Sequence, residues 1–169
     1  SGLIYLPLNT AYREAEVAYF LNDAEPAVVV CSGVNLPWVE SLARKAGCVQ
    51  VYTLEADGGG SLSELARSQP SSFSTVESRG DDLAAILYTS GTTGRSKGAM
   101  LSHANLGANA LTLKQYWGWR SDDVLLHMLP IFHVHGLFVA SHGALLAGAK
   151  TIWLPKFDLE QALHYLPQS

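Results

Sequence analysis

The sequence predicts an α/β fold, a mainly parallel sheet flanked by helices. Short runs of apolar, often β-branched residues read as buried strands. Between them, apolar residues recur at helical spacing. Strand and helix alternate along the chain, and a strand–helix–strand order forces a parallel pair with a right-handed crossover.

The elements follow in order. Val17, Phe20, Leu21 and Ala24 mark a first helix. "AVVVC" (27–31) is a continuous apolar run, expected to be a strand buried on both faces. Val39, Leu42, Ala43 and Ala46 mark a second helix, which Gly47 ends, and "VQVYTL" (49–54) is the next strand. After a loop at 55–61, Ser61 with Glu64 has the spacing of a capping box for a short helix. Residues 68–82 are polar and irregular, and join sub-halves at about 1–67 and 83–169. "LAAILY" (83–88) restarts the pattern as a buried strand. Leu106, Ala110, Leu113 and Trp117 form a helical stripe, and "VLLHML" (124–129) is a strand. Residues 134–147 read as a helix despite Gly136 and Gly143. "TIWL" (151–154) is a strand, and Asp158 with Gln161 opens a last helix.

Composition narrows the function. Only 15% of the 169 residues are charged and 48% are hydrophobic, against about 25% charged in an average globular chain. So little charge predicts many buried strands, or apolar faces left bare. The chain opens on Ser1-Gly2 rather than Met and reads as a fragment. A net charge of −4 argues against nucleic acid or an anionic membrane as partner. Residues 136–149, the most apolar stretch, are too short and glycine-rich to span a bilayer. Cys31 and Cys48 have no metal or redox spacing and read as buried, reduced thiols in a cytoplasmic protein.

"YTSGTTGRSKGAML" (88–101) carries the densest chemistry. From Thr89 to Gly98 it holds five hydroxyls, three glycines and two cations between apolar runs. Glycines let backbone N–H groups converge, hydroxyls add donors, and Arg95 and Lys97 add charge, a set suited to a polyphosphate. Against a Walker A loop, Ser96 takes the second glycine slot and Gly98 the Ser/Thr slot. The following "AML" also reads as extended. The site would therefore be a hairpin-like loop, not a cradle on a helix N-terminus. The competing reading is an exposed Gly/Ser/Thr linker, but a linker rarely sits directly between two buried runs.

His127, His133, His135 and His142 crowd the segment 127–142. No Asp, Glu or Cys lies among them, and His-x-His lacks a third ligand, so no metal site is expected. His127 alternates with apolar neighbours and reads as a satisfied core residue, as does His142. His133 and His135 are the functional candidates, able to hydrogen-bond a carboxylate or phosphate oxygen. Trp117 and Trp119 read as packing residues, and Lys156 as a solvated charge.

"YTSGTTGRSKGAMLSHANL" (88–106) resembles the phosphate-loop signature of AMP-forming acyl-CoA synthetases, in the adenylate-forming superfamily. "LPIFHVHGL" (129–137) is similar to that family's second motif, and "YLPLNTAYREAEVAYFLNDAEPAVVV" (5–30) to the segment preceding both. Within the family, "FHVHGLFVA" and "WLPKFD" look closest to malonyl-CoA synthetases. The resemblance implies a partial N-terminal adenylation domain over 1–169. It implies ATP, a small carboxylic acid and coenzyme A as substrates, with Mg2+ ligands outside this chain. It assigns phosphate binding to Thr89, Ser90, Gly91, Thr92, Thr93, Gly94, Arg95 and Lys97, and acid binding to His133 and His135. Many relatives have proline at Ser96 and an aromatic at His135. The chain should lack the family's catalytic lysine, perform no adenylation alone and self-associate through bare apolar faces. A fatty or aromatic acid is the alternative substrate. A non-catalytic nucleotide-binding module is the alternative of another class.

Overall fold

The computed structural model describes residues 2–89 and 95–166. They fall into two compact units, those of 10–74 and those of 1–9 together with 75–169. The sub-halves expected from the sequence put residues 1–9 with the first half. In the structure they group with the second, because Tyr5 runs beside the strand at 83–89. Its N–H donates to the Ala84 carbonyl at 3.0 Å, and its carbonyl accepts from Ile86 at 3.0 Å.

In the unit 10–74, helix α1 (Glu14–Ala24) starts where the Glu16 carboxylate accepts from the Arg13 N–H. It ends at Glu25, which adopts φ 44° ahead of Pro26. Strand β1 (Val29–Cys31) pairs in parallel with β2 (Val51–Thr53) across helix α2 (Leu36–Lys45). Gly47 stops α2 as expected, at φ 85°. Val17 and Leu21 of α1 meet Ala43 and Cys48, with Val29 and Val51 packed beneath them.

Strand β1 is not buried on both faces. Strand side chains alternate, so Val29 faces this core while Val28 and Val30 are exposed. Helix α3 (Ser61–Arg67) also departs from expectation, since Ser61 is its first residue and not its cap. Its Oγ accepts from the Thr53 N–H at 2.9 Å, and its own N–H donates to Thr53 Oγ1 at 2.9 Å. Gly60 precedes it at φ 110°, where a Cβ would lie 2.5 Å from the Thr53 carbonyl oxygen.

In the other unit, β3 (Leu83–Thr89) pairs antiparallel with β4 (Lys97–Ser102), the extended segment expected in place of a helix start. Helix α4 (His103–Trp117) opens on a reciprocal cap. Ser102 Oγ accepts from the Asn105 N–H, and Asn105 Oδ1 accepts from the Ser102 N–H. The predicted stripe is buried at Ala110 and half-buried at Leu106 and Leu113, while Trp117 lies exposed. Strand β5 (Val124–His127) pairs in parallel with β6 (Lys150–Trp153). The predicted helix at 134–147 is a π-helical turn, His135–Ala140, running into α5 (Ser141–Ala147). Gly136 and Gly143 are contact points there. A Cβ on Gly136 would collide with the Pro130 carbonyl, and one on Gly143 with the Trp119 indole. Helix α6 (Leu159–Tyr165) starts as predicted, with Asp158 accepting from the Gln161 N–H at 3.0 Å. Among the described residues, no helix is long and apolar enough to cross a membrane.

Candidate active site

The hairpin of β3 and β4 sets the mouth of the 89–98 loop. Its last rungs pair Tyr88 with Gly98 and Thr89 with Lys97. Thr89 Oγ1 donates to the Lys97 carbonyl at 3.4 Å, so hydroxyl and lysine backbone meet where the strands part. Arg95 and Lys97 are exposed. Gly98 keeps the rung closed, since a Cβ there would stand 2.8 Å from Ile86 Cγ2. Ser90, Gly91, Thr92, Thr93 and Gly94 lie outside the described residues.

The histidine motif meets the same core. Ala85 and Leu87 of β3 pack with Phe138 of the π-helical turn, and Leu101, Leu106, Val134 and Leu137 close around them. This cluster ties the segment bearing His133 and His135 to the strand that opens the loop. The two imidazoles are exposed and stacked, with centroids 5.5 Å apart and planes at 19°. The His135 N–H donates to His133 Nδ1 at 3.3 Å. His133 Nδ1 is thus an acceptor, and Nε2 is the nitrogen left to carry the proton and donate.

The other predicted roles are mixed. His127 is buried, but its satisfaction is partial. Nε2 meets the Gly136 carbonyl at 2.8 Å, while Nδ1 has no hydrogen-bond partner. His142 is half-buried against the Phe138 ring at 5.2 Å, and burial pushes its pKa below the ordinary histidine range. Cys48 is buried as expected, but Cys31 only half so. Burial, and then the Glu55 carboxylate, push the Cys31 thiol pKa up. Glu55 also accepts from the Gly33 N–H at 2.6 Å, so the carboxyl edge of the β1–β2 pair is filled by the chain's own anion. Among the described residues no group of three His, Cys, Asp or Glu side chains is placed to hold a metal ion.

Sequence reasoning missed the buried group of His127, Gly136 and Ser141. The available signal was Gly136 itself, because a glycine weakens a helical pattern and serves where the backbone must approach closely.

The sequence model of the AMP-binding enzyme family matches residues 1–168. This chain belongs to that family. It is 37% identical over 161 residues to the mitochondrial malonate–CoA ligase ACSF3 of Mus musculus, covering 95% of this chain and 27% of that protein. The malonate–CoA ligase of Arabidopsis thaliana is 33% identical, covering 94% and 26%. The crystal structure of ATP-bound MatB from Rhodopseudomonas palustris superposes with a TM-score of 0.94 at 53% identity, over 98% of this chain and 33% of that one. The chain thus spans about a quarter to a third of the length of these relatives. As in other AMP-binding enzymes, the fold is that of the N-terminal domain of adenylate-forming enzymes.

Proposed function

We propose that this AMP-binding chain is the phosphate-gripping and acid-gripping part of a ligase that joins malonate to coenzyme A at the expense of ATP. One observation carries the reading. The hydroxyl-rich, dicationic loop is closed by the Thr89–Lys97 rung, and one apolar core binds its strand to the paired histidines. The malonate–CoA ligases and the ATP-bound structure among the relatives support it.

A malonate carboxylate oxygen attacks the α-phosphorus of ATP, and the bond to the pyrophosphate oxygen breaks. Negative charge grows on the departing β and γ phosphates. Thr89, Ser90, Gly91, Thr92, Thr93, Gly94 and Lys97, with Arg95 beside them, meet that charge with donors. They hold the transition state more tightly than the ground state. Each charge-assisted hydrogen bond contributes about 1.5–3 kcal/mol. His133 and His135 receive the second carboxylate of malonate, a group a fatty acid lacks. The thiol of coenzyme A then attacks the acyl carbon of acyl-AMP, and AMP leaves. The substrate supplies the nucleophile in the first step, so no covalent side chain is required.

Residues 88–101 contain no carboxylate, so carboxylate ligands for the magnesium ion that accompanies ATP would come from other segments of the complete enzyme. The free thiols of Cys31 and Cys48 support a reducing compartment such as the cytoplasm. Self-association of the isolated chain is supported by exposed Leu159 and Leu163 along α6.

The test is a coupled assay of the complete reading frame with ATP, coenzyme A and malonate, acetate, octanoate or coumarate. Malonate is expected to give the highest kcat/KM. A monocarboxylate ranking first contradicts the assignment.

A further inference from the structure

Three groups converge where β5 hands over to the π-helical turn. His127 is 1% exposed, and its Nε2 lies 2.8 Å from the Gly136 carbonyl oxygen. Ser141, also buried, donates its hydroxyl to the same oxygen at 2.7 Å. A carbonyl oxygen only accepts, so Nε2 carries a proton, and a neutral ring then presents Nδ1 as a bare lone pair. That Nδ1 is buried without a partner. An unsatisfied buried polar atom is destabilising, and an apolar side chain would avoid that loss. A histidine held at such a cost calls for a reason beyond packing.

The surroundings supply one. The Trp153 ring packs against His127 with centroids 4.2 Å apart and planes tilted at 32°. The His127 carbonyl accepts from the Leu154 N–H at 2.8 Å, which fixes its backbone to the end of β6. Gly136 is pressed against the Pro130 carbonyl, with no room for a Cβ. It directly follows His135, whose ring stacks on His133. π-Helical turns are rare and cluster at functional sites.

We propose that His127 is a positioning residue for the acid substrate. With Ser141 it clamps the Gly136 carbonyl, sets the start of the π-helical turn, and so aims the His133–His135 pair. This rests on the reading of those two histidines as acid-binding.

The test uses the complete ligase. In steady-state kinetics, His127→Phe raises the KM for malonate about tenfold or more, which is about 1.4 kcal/mol, and leaves the KM for ATP within about twofold. His127→Gln keeps an N–H donor that reaches the Gly136 oxygen and recovers most of the loss. Ser141→Ala shifts the malonate KM the same way by a smaller factor, and carries the kinetic test if His127→Phe does not accumulate. Imidazole nitrogen NMR of the wild-type enzyme shows His127 protonated at Nε2. The inference is overturned if both KM values move together, if only kcat falls, if His127→Gln rescues nothing, or if His127 carries its proton on Nδ1 alone. A wild-type enzyme that activates no acid brings down the ligase reading instead. An active wild type with an unaltered His127→Phe brings down only the role of His127.

Discussion

His142 shows how one side chain ties the fold to pH. Burial beside Phe138 lowers its pKa, so the unfolded chain binds that proton more readily than the folded one. This contribution to stability is full above the unfolded histidine range, about pH 6.5. It is lost as pH falls through that range toward the lower folded value. Urea unfolding at pH 7.5 and 5.5 is expected to show the acid loss, and His142→Phe to make it smaller. An unchanged pH difference in that variant removes His142 as its source. Glycines act at the same scale by what they leave out. Gly98 leaves room for Ile86 beside the Tyr88–Gly98 rung of the β3–β4 hairpin, and Gly136 lets the π-helical turn touch Pro130.

Among the elements, the start of α3 separates two explanations of one sequence pattern. Ser61 and Glu64 have capping-box spacing, yet Ser61 bonds both ways with Thr53 at the end of β2. Ser61→Ala therefore costs about 0.5–1 kcal/mol, the lower range for an exposed hydrogen bond, while Glu64→Ala changes stability by less. Denaturant midpoints of the two variants check this, and a larger loss at Glu64 restores the capping box. Most elements were legible because their signals are local. Gly47 stops α2, Asp158 caps α6, and the β1–α2–β2 order imposes a parallel pair. The π-helical turn was not legible, because the Gly136 carbonyl is met not only by the Ser141 hydroxyl but also by the His127 ring, which lies outside the local helical repeat. The cover on β1 was not legible either. An apolar run cannot say which of its faces a helix will reach, and Val28 and Val30 ended outside.

At the scale of the molecule, two cores divide the work. The unit 10–74 builds its own core on α1, α2 and the β1–β2 pair, and its carboxyl edge is taken up by Glu55. The other unit binds the loop strand and the histidine segment through Ala85, Leu87 and Phe138. Each motif was legible as a family signature, and 83–88 as a buried strand, but that Phe138 would join the two motifs in one core was not. Whether the loop between β3 and β4 grips the phosphates of ATP, as proposed, is decided by malonate-dependent exchange of pyrophosphate into ATP, measured on the complete enzyme and on Lys97→Ala. Loss of one charge-assisted contact of about 1.5–3 kcal/mol predicts exchange slowed roughly ten- to a hundredfold in a folded variant. Exchange at the wild-type rate in folded Lys97→Ala contradicts the claim.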